Sequence, residues 1–183
     1  MFYREDGGCL MSAAETECKW EMSSELRQFN YLHSELDALY HEIALKMNLS
    51  DSAMILLYTI CQTGEPCPLK AAYRLSGISK QTFSSSLRKL EAEGIVAAQI
   101  HGRQKLLFLT EEGRRLAERT VLRLIAVEDS IFREWSPEER RLHLELSQRY
   151  ISDLRRKMGE ITEPGAPRNA PAQPDESEKT PTA

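Results

Sequence analysis

The chain has 183 residues, a formal net charge of −4, 41% hydrophobic residues and 28% charged residues. These values are typical of a soluble globular protein that forms one domain, or one domain with extended helical arms. The longest apolar stretches, such as residues 53–60, are far too short to cross a bilayer. The N-terminus carries several acids and no continuous apolar segment, so we predict no secretory signal and expect a cytoplasmic protein.

Residues 1–22 have no sustained period and are predicted to form a flexible leader. From Ser24 onward, apolar residues recur at steps of three and four, which predicts a helix over residues 24–47 with a length of about 35 Å. These apolar residues form a stripe along one face of the helix. A stripe of that length cannot be buried against a small domain alone, so this helix needs a partner helix. The stripe consists of Leu26, Phe29, Leu32 or His33, Leu36, Leu39 or Tyr40, Ile43 and Met47.

A break at residues 48–50 separates this helix from the next one. Ser50 is a favourable N-cap for a second helix over residues 51–61. The run MILLYTI inside it is apolar on nearly all sides, so the second helix is predicted to be the central core helix. A turn is predicted at residues 63–66.

The following segment has the pattern of a helix-turn-helix with an appended β-hairpin. A third helix is predicted over residues 68–76, because the proline at its start suits the first helical position. Ser79 caps a fourth helix over residues 80–93. Two strands are then predicted, 95–100 and 105–109, joined by a tight basic turn.

Lysine and arginine are concentrated in this segment. From Cys67 to Arg115 there are nine Lys/Arg and four Asp/Glu, in a chain whose net charge is −4. One basic module in an otherwise acidic protein indicates a polyanionic partner.

Two long helices are predicted towards the C-terminus. The first begins after its cap Thr110 and runs over residues 111–135. Ser136 and the following Pro-Glu-Glu form a capping box, which predicts a last helix over residues 137–158. Residues 162–183 are rich in proline, alanine and polar residues, so a disordered tail is predicted.

The segments GISKQTFSSSLRKLEAEGIV and LLFLTEEGRRLAE resemble the MarR family of bacterial winged-helix transcription regulators. The resemblance covers about residues 24–158. It implies a mainly α fold with a small antiparallel β-hairpin, that is, a winged helix-turn-helix with long N- and C-terminal dimerisation helices. The implied domain spans residues 23–161, with a DNA-binding lobe at about 50–110 and dimerisation helices at about 24–47 and 111–158.

The chain departs from the family at the tip of the hairpin. Many members have a longer wing with an Asp-x-Arg step before the return strand, whereas the tip here is HGRQK. A short wing is therefore predicted, with Arg103 in the place of the family's wing arginine.

Two faces are predicted for the fourth helix. Phe83, Leu87 and Leu90 recur at helical spacing and should face the core. On the opposite face, Gln can read adenine, Arg can read guanine or bind a phosphate, and the run of three short serines lets the backbone approach the bases. The predicted DNA-binding residues are Lys80, Gln81, Thr82, Ser84, Ser85, Arg88, Lys89, Arg103 and Lys105, with Lys70 and Arg74 as further phosphate contacts.

The terminal helices are expected to pack against a second copy of the chain. The resulting homodimer would place two recognition helices ~34 Å apart on double-stranded DNA, where they read a pseudo-palindromic operator. The expected centre of the interface is formed by Leu122, Ile125, Phe132 and Trp135.

The resemblance further implies a repressor that releases DNA when a small-molecule effector binds beside the dimerisation helices. The candidate effector-pocket residues are Tyr31, His33, Tyr40, Met54 and Tyr58. They offer aromatic walls and hydroxyl groups, but core packing without any effector explains the same residue types.

Catalytic motifs are missing from the sequence. His41 and Glu42 begin an HExxH pattern, but Leu45 stands where the second histidine is required. No enzyme activity, metal or cofactor is therefore expected. Two alternatives stay open: a redox sensor that uses Cys61 or Cys67 on either side of a turn, and a winged helix that binds protein instead of DNA.

Overall fold

The computed structural model describes residues 21–162, so the predicted leader and tail lie almost entirely outside the described residues. The elements are α1 (Ser24–Lys46), α2 (Asp51–Thr63), β1 (Cys67–Pro68), α3 (Leu69–Ser76), α4 (Lys80–Ala92), β2 (Val96–His101), β3 (Gln104–Leu109), α5 (Glu111–Arg119), α6 (Val121–Glu134) and α7 (Pro137–Thr162). They belong to two compact units, one up to Leu122 and the other from Arg123 onward. The mainly helical fold with a small antiparallel sheet is confirmed.

Helices begin at the N-caps that the sequence indicates. The hydroxyls of Ser50 and Ser79 each accept a hydrogen bond from the backbone N–H three residues further on, at 3.3 and 3.1 Å. At α7, the N–H of Ser136 donates to Glu139 Oε2 at 2.8 Å, and the N–H of Glu139 donates to Ser136 Oγ at 3.2 Å. The bond from the Ser136 N–H lowers the pKa of the Glu139 carboxyl, and the Ser136 side chain adds to this effect. The predicted starts of α2, α4 and α7 are confirmed.

The sheet contains one strand that was not predicted. Its order is β1-β3-β2, and β1 pairs antiparallel with β3 through Cys67 opposite Leu107 and Pro68 opposite Leu106. The assignment of Pro68 to the first helical position was therefore wrong, because this residue lies in β1 and occupies the N-cap position of α3. A two-residue strand is defined by a partner distant in sequence, which local patterns do not encode.

The single helix predicted over residues 111–135 is also wrong, since α5 and α6 are separate. Thr120 lies between them with φ −127° and ψ −97°, outside the helical region. Its hydroxyl donates to the carbonyl of Leu116 at 2.5 Å, while its N–H donates to Ala117 O at 3.2 Å. The side chain thus occupies the carbonyl that the N–H of a continuing α-helix would use.

The core of the first unit surrounds α2, as predicted. Leu56, Leu57 and Ile60 of this helix are fully buried. The buried side chains from the other elements of this unit include Phe83, Leu87, Leu90, Val96, Leu107 and Leu109. Helices α3 and α4 both pack against α2, which fixes them beside the sheet.

Large apolar side chains are exposed on both long terminal helices. In α1, Ala44 is the one buried residue. Its exposed large apolar residues are Leu26, Tyr31, Leu32, Leu36, Leu39 and Leu45. Those of α7, in the second unit, are Leu142, Leu144, Leu146, Tyr150, Ile151, Leu154, Met158 and Ile161. Apolar surface of this extent commonly marks a contact with another protein.

Within residues 21–162, no single helix is long and apolar enough to cross a membrane. Helices α1 and α2 reach the required length and composition together, but the chain bends by 91° between them. Much of α2 is buried in the core of the first unit.

Candidate nucleic-acid interface

Helices α3 and α4 form the helix-turn-helix. Gly77 ends α3 with a left-handed φ of 67°, a conformation that glycine adopts without strain, and Ser79 caps α4 directly afterwards. The rings of Tyr73 on α3 and Phe83 on α4 pack edge to face with their centroids 5.6 Å apart. Together these features hold α4 at a fixed angle to α3.

The face of α4 opposite the core carries the residues expected to read bases. At 100° per residue, Gln81, Ser85 and Arg88 lie opposite the buried side chains of Phe83, Leu87 and Leu90, and all three are exposed. The guanidinium of Arg88 donates from Nε to the carbonyl of Ser84 at 3.2 Å, which orients it along the helix.

The run of three serines is only partly available to DNA. Ser86 is 6% exposed and faces the core, so the expectation that all three serines allow a close approach to the bases is corrected. Ser84 is half-buried and Ser85 is exposed, with its hydroxyl donating to the carbonyl of Thr82 at 3.0 Å.

The two flanks of α4 differ in their surroundings. Lys80, Ser84 and Glu91 line a groove between α3 and α4 that also contains Lys70 and Lys105. Helical geometry places Thr82 and Lys89 on the other flank. There the Thr82 hydroxyl lies 2.8 Å from the capping Ser79 Oγ, and Lys89 pairs weakly with Glu93 at 3.9 Å.

Strands β2 and β3 form the predicted wing, a hairpin with a two-residue turn. His101 pairs with Gln104, so only Gly102 and Arg103 lie beyond the last paired residues, and Gly102 has a φ of 60°. The short wing is confirmed. Lys105 on β3 reaches back to α4, where its ammonium lies 3.3 Å from Glu91 Oε1.

We call the cations that line the grooves beside α3, α4 and the wing the basic face, which leaves out Lys89 on the other flank of α4. Its members are Lys70, Arg74, Lys80, Arg88, Arg103 and Lys105. Apart from Lys105, none of them forms an ion pair with a carboxylate in the described part of the chain. The arginines of α5 differ, because Arg114 pairs with Glu65 at 3.0 Å and Arg119 with Glu112 at 3.3 Å. The basic face is thus a concentration of uncompensated positive charge.

Solved structures with this architecture were found at low sequence identity. A MarR family regulator from Neisseria meningitidis matches with a TM-score of 0.62 and 19% identity, over 77% of this chain and 100% of that one. The chain has the fold of MarR family regulators. The S. aureus MepR–DNA complex matches with a TM-score of 0.55 and 17% identity, over 73% and 99% of the two chains.

A third structure with the MarR fold is that of the PcaV transcriptional regulator from Streptomyces coelicolor in complex with its natural ligand. It matches with a TM-score of 0.52 and 16% identity, over 72% of this chain and 97% of that one. No protein-family profile and no curated protein matches the sequence.

Within this MarR fold, the candidate effector-pocket residues occupy different environments. Met54 is buried in the core, whereas Tyr40 and Tyr58 are half-buried. His33 is exposed and packs against Phe29, with ring centroids 4.1 Å apart and the rings tilted by 47°. Tyr31, which is 66% exposed, lies on the opposite side of α1 from His33 and Tyr40. The structure therefore does not bring Tyr31 together with the other candidates.

The residues expected at the centre of the dimer interface lie on α6 and just beyond it. Leu122 and Phe132 are exposed, and Ile125 and Trp135 are half-buried. Within the second unit, the rings of Phe132, Trp135 and His143 form a cluster with centroid distances of 5.2 to 6.0 Å. This cluster packs α6 against α7.

Sequence reasoning missed one aromatic residue and one acid in the interface. Tyr73 is 40% exposed and lines the groove between α3 and α4, where Glu91 is the acid that binds Lys105. Tyr73 is exposed and Glu91 is half-buried, and the helical period does not identify the groove that they share.

The environment of the two described cysteines disfavours thiolate chemistry. Burial raises the pKa of the Cys61 thiol to about 11, and the nearby Glu65 carboxylate adds to this rise. Burial also raises the pKa of the Cys67 thiol. Because the thiolate is the reactive form, the redox-sensor alternative loses support.

We predict that Cys61 reacts with iodoacetamide at pH 8 at least about tenfold more slowly in the folded chain than in denaturant, because the thiolate fraction falls tenfold per unit of raised pKa. Mass spectrometry of the Cys61 peptide measures both rates. A Cys61→Ser, Cys67→Ser double variant should also keep the response of the wild-type protein to peroxide. If peroxide changed DNA binding by the wild-type protein but not by this variant, the redox-sensor alternative would be supported.

Proposed function

We propose that this chain is a homodimeric, sequence-specific DNA-binding transcription regulator, acting as a repressor that a small-molecule effector releases. The observation that carries the proposal is the basic face. Its cations lie on the helix-turn-helix and the wing, and most have no carboxylate partner among the described residues. Such a cluster repels itself unless a polyanion binds to it.

The exposed residues of α4 and the other cations of the basic face would have separate roles on DNA. Gln81 and Arg88 suit the edges of adenine and guanine in the major groove, and Ser84 and Ser85 adapt to either base or phosphate. Lysine and arginine elsewhere on the basic face would bind phosphates, which position the protein without reading sequence. The similarity of fold to the MepR–DNA complex supports this orientation of the helix-turn-helix.

The dimer is supported by exposed apolar surface. Helices α1 and α7 expose rows of leucine, tyrosine and methionine side chains that a second copy could bury. Two copies related by a two-fold axis would present two α4 helices to half-sites about one helical turn, ~34 Å, apart.

Effector control requires a ligand site in the chain. The similarity of fold to PcaV, which binds its natural ligand, supports a ligand site. Of the candidate residues, Tyr40, Met54 and Tyr58 on α1 and α2 suit such a site best, because helical geometry places Tyr31 on the opposite side of α1. An effector acts only if it binds the form with low DNA affinity more tightly.

Selection of bound fragments from random DNA, using the full chain, tests the proposal. We expect a pseudo-palindrome, and we expect its affinity to fall about 10³-fold or more between 50 and 200 mM salt if six or more phosphates are bound. A variant that carries Arg74→Glu, Arg88→Glu and Arg103→Glu should lose this binding while its melting temperature stays at the wild-type value. Weak, salt-independent binding of every duplex by the wild type would exclude DNA recognition and favour a protein-binding winged helix.

A further inference from the structure

We infer that Glu65 is a positioning residue for DNA binding, because its carboxylate holds the base of the wing and thereby fixes the direction in which the wing projects. This inference rests on the proposed function and concerns how the fold orients one part of the DNA-binding surface. Glu65 lies in the loop between α2 and β1, and it lines neither of the grooves that contain the basic face. Apart from its charge, it can act on DNA binding only through the residues that it contacts.

Glu65 contacts two elements that are distant from it in sequence. Its Oε2 accepts a hydrogen bond from the backbone N–H of Leu109, the last residue of β3, at 2.8 Å. The guanidinium of Arg114 on α5 donates from Nη1 to Oε1 and Oε2 at 3.0 and 3.1 Å. The side chain of Glu65 is 26% exposed, compared with 81% for Glu111 and 51% for Glu112 in the ion pairs within α5. A carboxylate that is largely withdrawn from water and bound by two donor groups is held more firmly than an exposed ion pair.

The hydrogen bond to Leu109 continues the pairing between β1 and β3. Cys67 lies opposite Leu107 in this ladder. The antiparallel register therefore places Glu65 opposite Leu109, two residues away on each strand. Strand β1 does not reach this position, since it spans only Cys67–Pro68. The carboxylate thus accepts a bond of the kind that a backbone carbonyl of a longer β1 would accept, and it extends the hydrogen-bonded edge of the wing.

A second attachment point on this edge fixes the direction of the wing, whereas one point alone leaves a pivot. At about 3.3 Å per residue, the Glu65 bond lies about 7 Å from the pairing of Cys67 with Leu107. The turn at the tip begins at Gln104, about 10 Å from that pairing on the other side. A displacement of about 1 Å at the base would therefore move the tip by about 1.5 Å, which is enough to break hydrogen bonds to DNA.

The first turn of α5 forms the other part of this junction. A Cβ on Gly113 would overlap the carbonyl oxygen of Ile95, so this turn packs directly against the backbone that follows α4. From the same turn, Arg114 reaches the Glu65 carboxylate. Glu65 therefore joins the base of the wing to a turn that is itself fixed against the end of α4, which sets the wing relative to α4.

Glu65→Ala in the full chain tests the inference, with the duplex obtained by selection and with its isolated half-site. A wing that adopts the binding direction about a tenth to a third of the time should weaken half-site binding about 3- to 10-fold, and binding to the full operator about 10- to 100-fold. Removal of a negative charge acts in the opposite direction, because it strengthens attraction to a polyanion. A fall in affinity, measured well below the melting temperature of the variant, therefore reports the position of the wing. Unchanged or higher half-site affinity would overturn the inference.

Glu112→Gln is the matched control for the change in charge. It also removes a carboxylate that pairs with arginine, but both partners of Glu112, Arg115 and Arg119, lie on α5. Its half-site affinity should equal or slightly exceed the wild-type value. If this variant lost as much affinity as Glu65→Ala, the effect would belong to α5 and not to the wing.

Hydrogen exchange separates positioning from a general loss of stability. In Glu65→Ala, the Leu109 amide should exchange at least about tenfold faster, the usual effect of losing a hydrogen bond to a charged group. The amide of Phe108, which pairs with Ala97 of β2, should keep its wild-type rate. Equal acceleration at Leu109 and Phe108 would mean that Glu65 stabilises the whole fold, and the positioning role would be wrong.

Two further variants separate the bond to the wing from the ion pair with α5, and they remain a test if Glu65→Ala does not fold. Glu65→Gln keeps an oxygen that accepts from the Leu109 N–H but loses the charge that binds Arg114. Glu65→Asp keeps the charge, but its shorter side chain reaches the N–H only by drawing the wing towards the loop. We expect half-site affinity to be higher for Glu65→Gln than for Glu65→Asp. The reverse order would assign the effect to the ion pair and overturn the inference.

The two levels of the proposal fail differently. A wild-type protein that binds no duplex in a salt-dependent way contradicts the proposed function and the role of Glu65 together. Normal wild-type binding that Glu65→Ala and Glu65→Asp leave unchanged contradicts the role of Glu65 alone.

Discussion

Replacing Leu36 with aspartate is expected to convert the proposed dimer into monomers and to lower affinity for the full operator by roughly 10²- to 10⁴-fold, the usual gain from linking two binding modules. Sedimentation or light scattering measures the assembly state, and titration with the full operator measures the affinity. Binding to a single half-site should change little, because the basic face of each protomer is intact.

The physical reason lies in the apolar stripe of α1. Leu36 is 49% exposed in the single chain and lies at the centre of the stripe that begins at Leu26. Fully burying a leucine side chain contributes about 1.5–3 kcal/mol, so burying the exposed half of Leu36 contributes roughly 0.7–1.5 kcal/mol, and a two-fold dimer contains each contact twice. The loss of about 1.5–3 kcal/mol raises the dimer dissociation constant by about 10- to 160-fold. A buried carboxylate adds a desolvation cost to this loss.

Leu45→Asp is the matched control for this experiment. Leu45 is 59% exposed on the same helix, but it lies on the side opposite Leu36. Its replacement should leave both the assembly state and the operator affinity at wild-type values. Circular dichroism of both variants checks that α1 stays helical. A Leu36→Asp protein that remains dimeric and binds the operator normally would contradict the proposed interface.

Helix starts could be predicted from the sequence because an N-cap is a local interaction. The cap hydroxyl and the N–H that it binds are three residues apart, as at Ser79 and Thr82. The split of α4 into a buried and an exposed face is equally local, since it follows from the helical period alone. The same period places Ser86 one turn after Phe83, on the buried side, so the burial of Ser86 could have been predicted from the sequence.

Features that depend on distant contacts could not be predicted in this way. Strand β1 exists because Cys67 and Pro68 pair with β3, and the proline alone is equally compatible with a helix start. The break at Thr120 could not be predicted because apolar residues keep helical spacing on both sides of it. Thr120, Ala117 and Val121 are all buried, so tertiary packing fixes the backbone there.

The sequence also did not show which cations of the interface are paired with a carboxylate. In the sequence, Lys105 and Arg103 are equivalent cations on one hairpin. In the structure, Lys105 is bound by Glu91, whereas Arg103 forms no ion pair with a described residue. The two side chains therefore offer DNA different amounts of free charge, a difference that depends on the position of α4 relative to the wing.

Arg88→Ala is expected to relax base specificity at one position in each half-site. A bidentate contact between arginine and guanine contributes about 1–3 kcal/mol of discrimination. In a dimer, the preference for the operator over a duplex changed at both positions should then fall by roughly 30- to 10⁴-fold. Competition titrations with duplexes that differ only at these base pairs measure the effect.

Two further variants identify the cause of that loss. Arg88→Lys keeps the charge but not the planar fork, so it should recover affinity for all duplexes without recovering discrimination. Lys89→Ala removes a neighbouring cation on the other flank of α4, where Lys89 lies 3.9 Å from Glu93. It should weaken binding to every sequence alike and leave the preference among them unchanged.

These comparisons also test the orientation of α4 on DNA. Arg88 lies on the exposed face and is held by the carbonyl of Ser84, whereas Lys89 lies 100° further around the helix. A helix that enters the major groove with its exposed face must give the two residues different effects on specificity. Identical specificity profiles for Arg88→Ala and Lys89→Ala would mean that another face of α4 contacts the bases, and the roles proposed for Gln81 and Ser85 would be lost with that of Arg88.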